Sequence, residues 1–201
     1  MPAHVERRRY DVIVIGAGVA GLAFTLRLPP GPRVALLTKS LLGESNTRYA
    51  QGGLAAALGQ DDDPALHERD TLAAGAGLCD VTVVRRMVEG AAAAVRWLTA
   101  QGTRFDTAPD GGLLLGREAA HGRWRILHAG GDATGAEIER ALVTGIRADP
   151  TIDVYEGAFA RDLLVRNGRC AGIVAQLGPD APLTTLEAPL TVVAAGGAGQ
   201  L

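Results

Sequence analysis

Tyr10–Gly21 reads YDVIVIGAGVAG, and this stretch decides the fold. A hydrophobic strand runs straight into Gly16-x-Gly18-x-x-Gly21. Gly16 permits the tight turn. Gly18 lets the backbone approach phosphates with no Cβ in the way, and Gly21 lets the following helix pack closely on the strand. The helix N-terminus adds free N–H groups and a positive partial charge, which suit a diphosphate. A lone Gly-rich turn is weak evidence. Here an apolar helix follows (Leu22, Ala23, Phe24, Leu26, Leu28), and a second strand over Arg33–Thr38 completes a βαβ unit. The stretch therefore reads as a dinucleotide site.

The second strand says which dinucleotide it is not. A nicotinamide-binding unit carries Asp or Glu at the end of that strand, to bond a ribose hydroxyl. This chain has Thr38-Lys39-Ser40 there, and Glu44 is a poor substitute. Lys39 reads either as a solvated strand end or as a point charge beside an adenosine or a phosphate.

Composition narrows the class. The 201 residues are 47% hydrophobic with a net charge of −2, enough for one sizeable core and part of a second. No basic face or charge run offers a footprint for nucleic acid, and the apolar runs are too short to span a bilayer. The charged start, Met1–Arg9, leads into the first strand and is not read as a signal peptide. Cys79 and Cys170 fit no metal or redox spacing and read as buried, reduced thiols of a cytoplasmic protein.

After the βαβ unit, Ser40–Gly53 is too long and Gly-rich for an idle connector. Asp63-Pro64 predicts a helix start, with an end near Gly75 or Gly77. Asp80 caps a second helix, whose stripe is Val81, Val84, Val88, Ala91, Val95 and Leu98. Gly90 bends or divides it, and Gly102 ends it. Residues 103–131 read as short strands around Pro109-Asp110-Gly111-Gly112. Thr134–Glu137 reads as a capping box opening a helix to Ala148. Ile152–Tyr155 is a predicted strand. Phe159–Arg166, Cys170–Leu177 and Leu183–Glu187 form a three-stranded antiparallel meander over 159–187. Leu190–Ala195 is a last, continuously apolar strand. The fold class expected is α/β: a doubly wound, Rossmann-like domain with an inserted antiparallel β-meander.

Several stretches match a known family. They are GAGVAG, Lys39, Ser45–Gly53 (SNTRYAQGG), Asp70–Asp80 (DTLAAGAGLCD), Arg117–His121 (REAAH), Arg125–Gly135 (RILHAGGDATG) and the closing AAGGAG. Over essentially its whole length the chain resembles the N-terminal part of the L-aspartate oxidases, in the succinate dehydrogenase and fumarate reductase flavoprotein superfamily. The resemblance implies an extended FAD. Gly16, Ala17, Gly18, Val19, Ala20 and Gly21 would hold the pyrophosphate, with Lys39 near the adenosine. Asn46, Thr47, Ala50, Gln51, Gly52 and Gly53 would line the flavin side, Arg48 and Tyr49 would also bind the cofactor, and Gly196 and Gly197 would pack beside it. Many superfamily members carry, just before the Thr of this loop, a His bonded covalently to the flavin. Asn46 stands there, so the resemblance implies noncovalent FAD.

On the substrate side Glu118 matches a Glu expected to meet the substrate ammonium, while a solvated hairpin Glu is an equal reading. Arg123 and Arg125 read as surface charges on a short strand, with His121 and His128 nearby and no metal-ligand spacing. The family's activity is oxidation of L-aspartate to iminoaspartate, the first step of bacterial NAD biosynthesis. Oxygen or fumarate is the acceptor, and quinolinate synthase is the implied functional partner. Members continue into capping and helical C-terminal domains. The main catalytic Arg and His residues are thus expected beyond Leu201, and the chain is expected to be a fragment, inactive alone and incompletely folded. The alternatives are a fumarate reductase or succinate dehydrogenase flavoprotein, or a fragment that only binds FAD.

Overall fold

The computed structural model describes residues 6–197. In chain order the elements are β1 (Arg7–Arg9), β2 (Val12–Ile15), α1 (Val19–Leu26), β3 (Val34–Leu37), β4 (Leu54–Ala55), α2 (Pro64–Ala74) and α3 (Val81–Ala100). There follow β5 (Leu115–Gly116), β6 (Ile126–Leu127), α4 (Thr134–Ala148), β7 (Ile152–Tyr155), β8 (Phe159–Arg166), β9 (Arg169–Gln176), β10 (Leu183–Glu187) and β11 (Leu190–Val193). The chain divides into two compact units, one of residues 1–48 with 142–201 and one of residues 49–141.

The first unit holds a four-stranded, wholly parallel sheet in the order β11-β2-β3-β7. Its two central strands, β2 and β3, are buried on both faces, which is why they read as unbroken apolar runs rather than alternating ones. On one face Ile13, Ala35 and Leu37 pack with Ile173, Ala175 and Leu186 of the meander. Tyr10 lies in the same core, and its hydroxyl bonds Asp153 at 2.7 Å and pairs with that of Tyr155. Burial, reinforced by those bonds, pushes the Tyr10 phenol well above its ordinary range.

The meander forms where expected, with Asn167 and Gly168 at its first turn, both at positive φ. It is one strand larger than the sequence suggests, because β1 joins β10 in parallel to give the order β1-β10-β9-β8. A run of three arginines has no strand signature. It becomes one because its charges are matched: Arg7 and Arg9 flank the Glu187 carboxylate at 3.9 and 3.4 Å, and Arg8 donates to the Tyr155 hydroxyl at 2.8 Å.

The second unit pairs α2 with α3 and carries a small antiparallel sheet in the order β4-β6-β5. Both helices begin on their predicted caps. Asp63 accepts from Leu66 N–H, and Asp80 accepts from Thr82 and Val83 N–H. Helix α3 buries Val84, Val88, Val95 and Leu98, leaves Val81 exposed in its first turn, and passes through Gly90 as a single helix. It stops at Gly102, at φ +91°.

Two local expectations are corrected. The capping box at Thr134 is not used. The Thr134 hydroxyl accepts from Ala129 N–H, while Glu137 accepts from Arg104 N–H and pairs with Arg140 at 2.7 Å. Tertiary partners thus outcompete the reciprocal local bonds. The two thiols are free but not buried: Cys79 is half-buried, beside Gly75, and Cys170 is exposed on β9.

Candidate functional site

In the first unit the C-terminal ends of three parallel strands converge on the Gly16–Gly21 turn. Gly16 N–H donates to Leu37 O and Ala194 N–H donates to Ile15 O, each at 2.8 Å. Gly16 sits at φ +107°, and a Cβ there would overlap the carbonyl oxygen of Ala194. A Cβ at Gly21 would overlap the carbonyl oxygen of Gly16. Folding alone therefore requires these two glycines.

Gly18 is different. A Cβ there would meet nothing closer than the Thr47 hydroxyl at 3.6 Å and the Ser45 hydroxyl at 3.9 Å. Gly18 is the N-cap of α1 and has no side chain to cap it, and by helix geometry the first-turn amides lack intrahelical acceptors. One of them is satisfied from a distance: Val19 N–H donates to Thr47 Oγ1 at 3.0 Å. Thr47 N–H in turn donates to Ser45 Oγ at 3.1 Å. The arrangement is a Cβ-free cradle at a positive helix end, at the carboxyl ends of parallel strands, and it fits a diphosphate.

Thr47 is thus brought to the turn itself, not to a separate position. Asn46 and Arg48 flank it and are exposed. Lys39 is exposed two residues beyond β3, after buried Thr38. Gly196, at φ +80°, and Gly197 follow β11 in open space.

In the second unit Tyr49, Ala50, Gln51, Gly52 and Gly53 are exposed, and Ala50 O accepts from Gly135 N–H at 3.0 Å. Gly52 lies in open space. A Cβ at Gly53 would overlap the Ile126 side chain and come within 2.7 Å of Leu127 O, so packing on β6 is enough to require this glycine.

The same unit carries Glu118. His128 Nε2 lies 2.9 Å from its Oε1, and the carboxylate side chain is half exposed. The loop holding Glu118 is tied at several points. His121 N–H donates to Glu118 O at 3.0 Å, Gly122 N–H donates to Asp70 Oδ2 at 2.7 Å, and Arg123 Nε donates to Asp61 O at 3.1 Å.

Arg125 overturns its expectation as a surface charge. Its side chain is 0% exposed, and it donates to both oxygens of equally sealed Asp62 at 2.8 and 2.7 Å and to Asp70 at 3.0 Å. A cation can be sealed in because two carboxylates meet its fork. The bond from Gly122 N–H, and the Arg125 charge behind it, hold the Asp70 carboxyl below its usual range. His67, edge-on to His121 at 5.4 Å, is pushed down by burial and then by the Arg125 charge.

Sequence reasoning missed Ser45, Asp62, Asp70 and the Thr47 cap. The signal for Asp70 was its place at the head of the DTLAAGAGLCD stretch. The described residues bring together no group of three or more His, Cys, Asp or Glu able to hold a metal. They also include no helix long and apolar enough to cross a membrane.

Comparison with known proteins agrees with this geometry. The model of the family described as "FAD binding domain" matches residues 11–201. The L-aspartate oxidase of Streptomyces coelicolor is 50% identical over 196 residues, covering 95% of this chain and 34% of the relative. The chloroplastic L-aspartate oxidase of Arabidopsis thaliana is 42% identical, covering 96% and 30%. Among solved structures, the Mycobacterium smegmatis Sdh1 complex in the apo form superposes with a TM-score of 0.91 at 33% identity, over 97% of this chain and 35% of that one. Escherichia coli quinol fumarate reductase FrdA gives 0.90 at 30% identity, over 96% and 34%. The chain spans about a third of the length of these relatives. A strand-turn-helix open at Gly18, a doubly wound sheet and a family match over nearly every residue place this chain in the FAD-binding-domain family.

Proposed function

We propose that the chain holds FAD noncovalently and forms the FAD-binding part of an enzyme that oxidises L-aspartate to iminoaspartate. The observation that carries this reading is the open cradle at Gly18, where the fold itself does not demand a glycine. Gly16, Ala17, Gly18, Val19, Ala20 and Gly21 bind the pyrophosphate, and the Thr47 hydroxyl, accepting from Val19 N–H, keeps its own proton for a phosphate oxygen. Lys39 serves the adenosine side. Asn46, Arg48, Tyr49, Ala50, Gln51, Gly52 and Gly53 serve the flavin side, and Gly196 and Gly197 lie along the cofactor. Asn46 has no ring nitrogen to attach a flavin, so the cofactor is held by contacts alone.

When bound, the flavin supplies two-electron acceptance from the substrate carbon bearing the amine, and oxygen or fumarate takes the electrons on. The chain's own share is orientation and charge. Glu118 meets the substrate ammonium, a contact that a dicarboxylate lacking the amine cannot make. Names borne by the curated relatives support the aspartate reading. Quinolinate synthase as the consumer of the product, and the cytoplasm as the location, belong to the same proposal.

The superpositions on Sdh1 and on a quinol fumarate reductase favour a second reading, a fumarate reductase or succinate dehydrogenase flavoprotein. A chimera decides between them. This chain is placed in the matching segment of a full-length L-aspartate oxidase, and peroxide release is followed with L-aspartate and with succinate. Release with L-aspartate supports the proposal, and release with succinate alone overturns it.

A further inference from the structure

The Glu118–His128 contact reaches beyond the role given to Glu118, though it rests on that reading. His128 Nε2 stands 2.9 Å from Glu118 Oε1. A bare ring nitrogen and a carboxylate oxygen at that distance repel, so Nε2 carries a proton directed at the carboxylate. The other ring nitrogen, Nδ1, is buried with no hydrogen-bond partner. A proton on Nδ1 would leave a buried donor unsatisfied, whereas a bare Nδ1 leaves only an acceptor. The two constraints select one neutral tautomer, protonated at Nε2.

The ring also has a seat. A Cβ on Gly53 would come to 3.0 Å from His128 Cε1, and a Cβ on Gly116 to 3.4 Å from Nε2. Glycine at both positions leaves the imidazole its room. The Glu118 end is fixed as well, because its carbonyl accepts from His121 N–H and Gly122 N–H is anchored on Asp70.

We infer that His128 is the positioning residue of Glu118: its Nε2–H occupies one oxygen of the half-exposed carboxylate and leaves the other for the ammonium of an amino dicarboxylate. The effect is selectivity. A carboxylate tethered at one oxygen meets the ammonium without first losing side-chain freedom, and it repels a dicarboxylate without an amine.

The test uses the chimera in which this chain replaces the matching segment of a full-length L-aspartate oxidase, labelled with 15N in histidine and 13C in glutamate. Long-range 1H–15N spectra are expected to show His128 protonated at Nε2 and bare at Nδ1, with its signal moved by Glu118→Gln. L-Aspartate is expected to shift the Glu118 carboxylate signal while succinate leaves it in place. In His128→Leu the L-aspartate concentration for half response is expected to rise about tenfold. His128→Gln, which keeps a side-chain N–H donor, is expected to restore it, and circular dichroism confirms that each variant is folded. An Nδ1-protonated ring, or an unaltered L-aspartate response in His128→Leu, overturns the inference alone. A wild-type Glu118 indifferent to L-aspartate overturns the substrate reading, and the inference falls with it.

Discussion

Arg125 and Asp62 form a two-pronged pair sealed from solvent: Nε and one terminal nitrogen reach the two carboxylate oxygens at 2.8 and 2.7 Å, and both side chains are 0% exposed. The pair fastens the end of the loop that carries Glu118 to the segment entering α2. Removing one member strands a buried charge. Asp62→Leu is therefore expected to lower unfolding free energy by about 3 kcal/mol in urea titrations. Adding Arg125→Met to it should regain part of the loss, since an apolar pair replaces the sealed ion pair, while Asp70 gives up Arg125 and keeps its bond from Gly122 N–H. A loss in Asp62→Leu no larger than that of an ordinary surface substitution would contradict this account of the loop.

The glycines of the turn separate into those the fold needs and one that it does not. Gly21→Ala drives a methyl into the Gly16 carbonyl, and Gly16→Ala drives one into Ala194. Both are expected to cut the yield of folded chain. Gly18→Ala meets only ordinary contacts. It should fold with unchanged circular dichroism yet bind FAD at least about tenfold more weakly by fluorescence titration, a loss of about 1.4 kcal/mol. Equal FAD affinity in Gly18→Ala would show that the cradle is not the phosphate site.

Thr47 caps a helix that begins 28 positions earlier in the chain, through Val19 N–H at 3.0 Å. Thr47→Val keeps the shape and loses the acceptor, with an expected cost of about 1 kcal/mol in thermal or urea unfolding. Thr47→Ser should stay near wild type. If Thr47→Val proves neutral, the long-range cap carries no energy.

Acid should weaken the second unit through His67. Its folded value lies below the ordinary one, because burial and then Arg125 disfavour the charged ring. The unfolded chain therefore binds a proton that the folded chain refuses. Stability is level above about pH 6.5 and falls as pH drops from there toward the lowered value. Asp70 acts in a lower window. Its carboxylate is favoured in the fold, and that contribution is present above about pH 4 and lost as pH falls through its lowered value. Urea midpoints measured between about pH 6.5 and 4.5 should thus decline in the wild type and flatten in His67→Leu. An unchanged slope in that variant would remove His67 from the account.

The sequence was legible wherever a local rule acts alone. The central parallel strands show as apolar runs, α2 and α3 start on Asp63 and Asp80, and the meander turns at Asn167-Gly168. It was opaque wherever a long-range partner decides. Arg7–Arg9 becomes a strand through Glu187 and Tyr155, and Thr134 gives up its box for Ala129. Arg125 is sealed by carboxylates 55 and 63 positions away. At the site, the Gly16–Gly21 spacing announced both the cradle and the separate part of Gly18, whereas the Thr47 cap, 28 positions from Val19, left no local sign.

The most direct test of the central claim is the fate of the flavin. The purified chain is mixed with excess FAD, freed of unbound cofactor by gel filtration and precipitated with acid. The account predicts a yellow protein fraction whose colour passes entirely into the acid supernatant as FAD. A folded chain that emerges colourless, or a flavin that stays in the pellet, would contradict it.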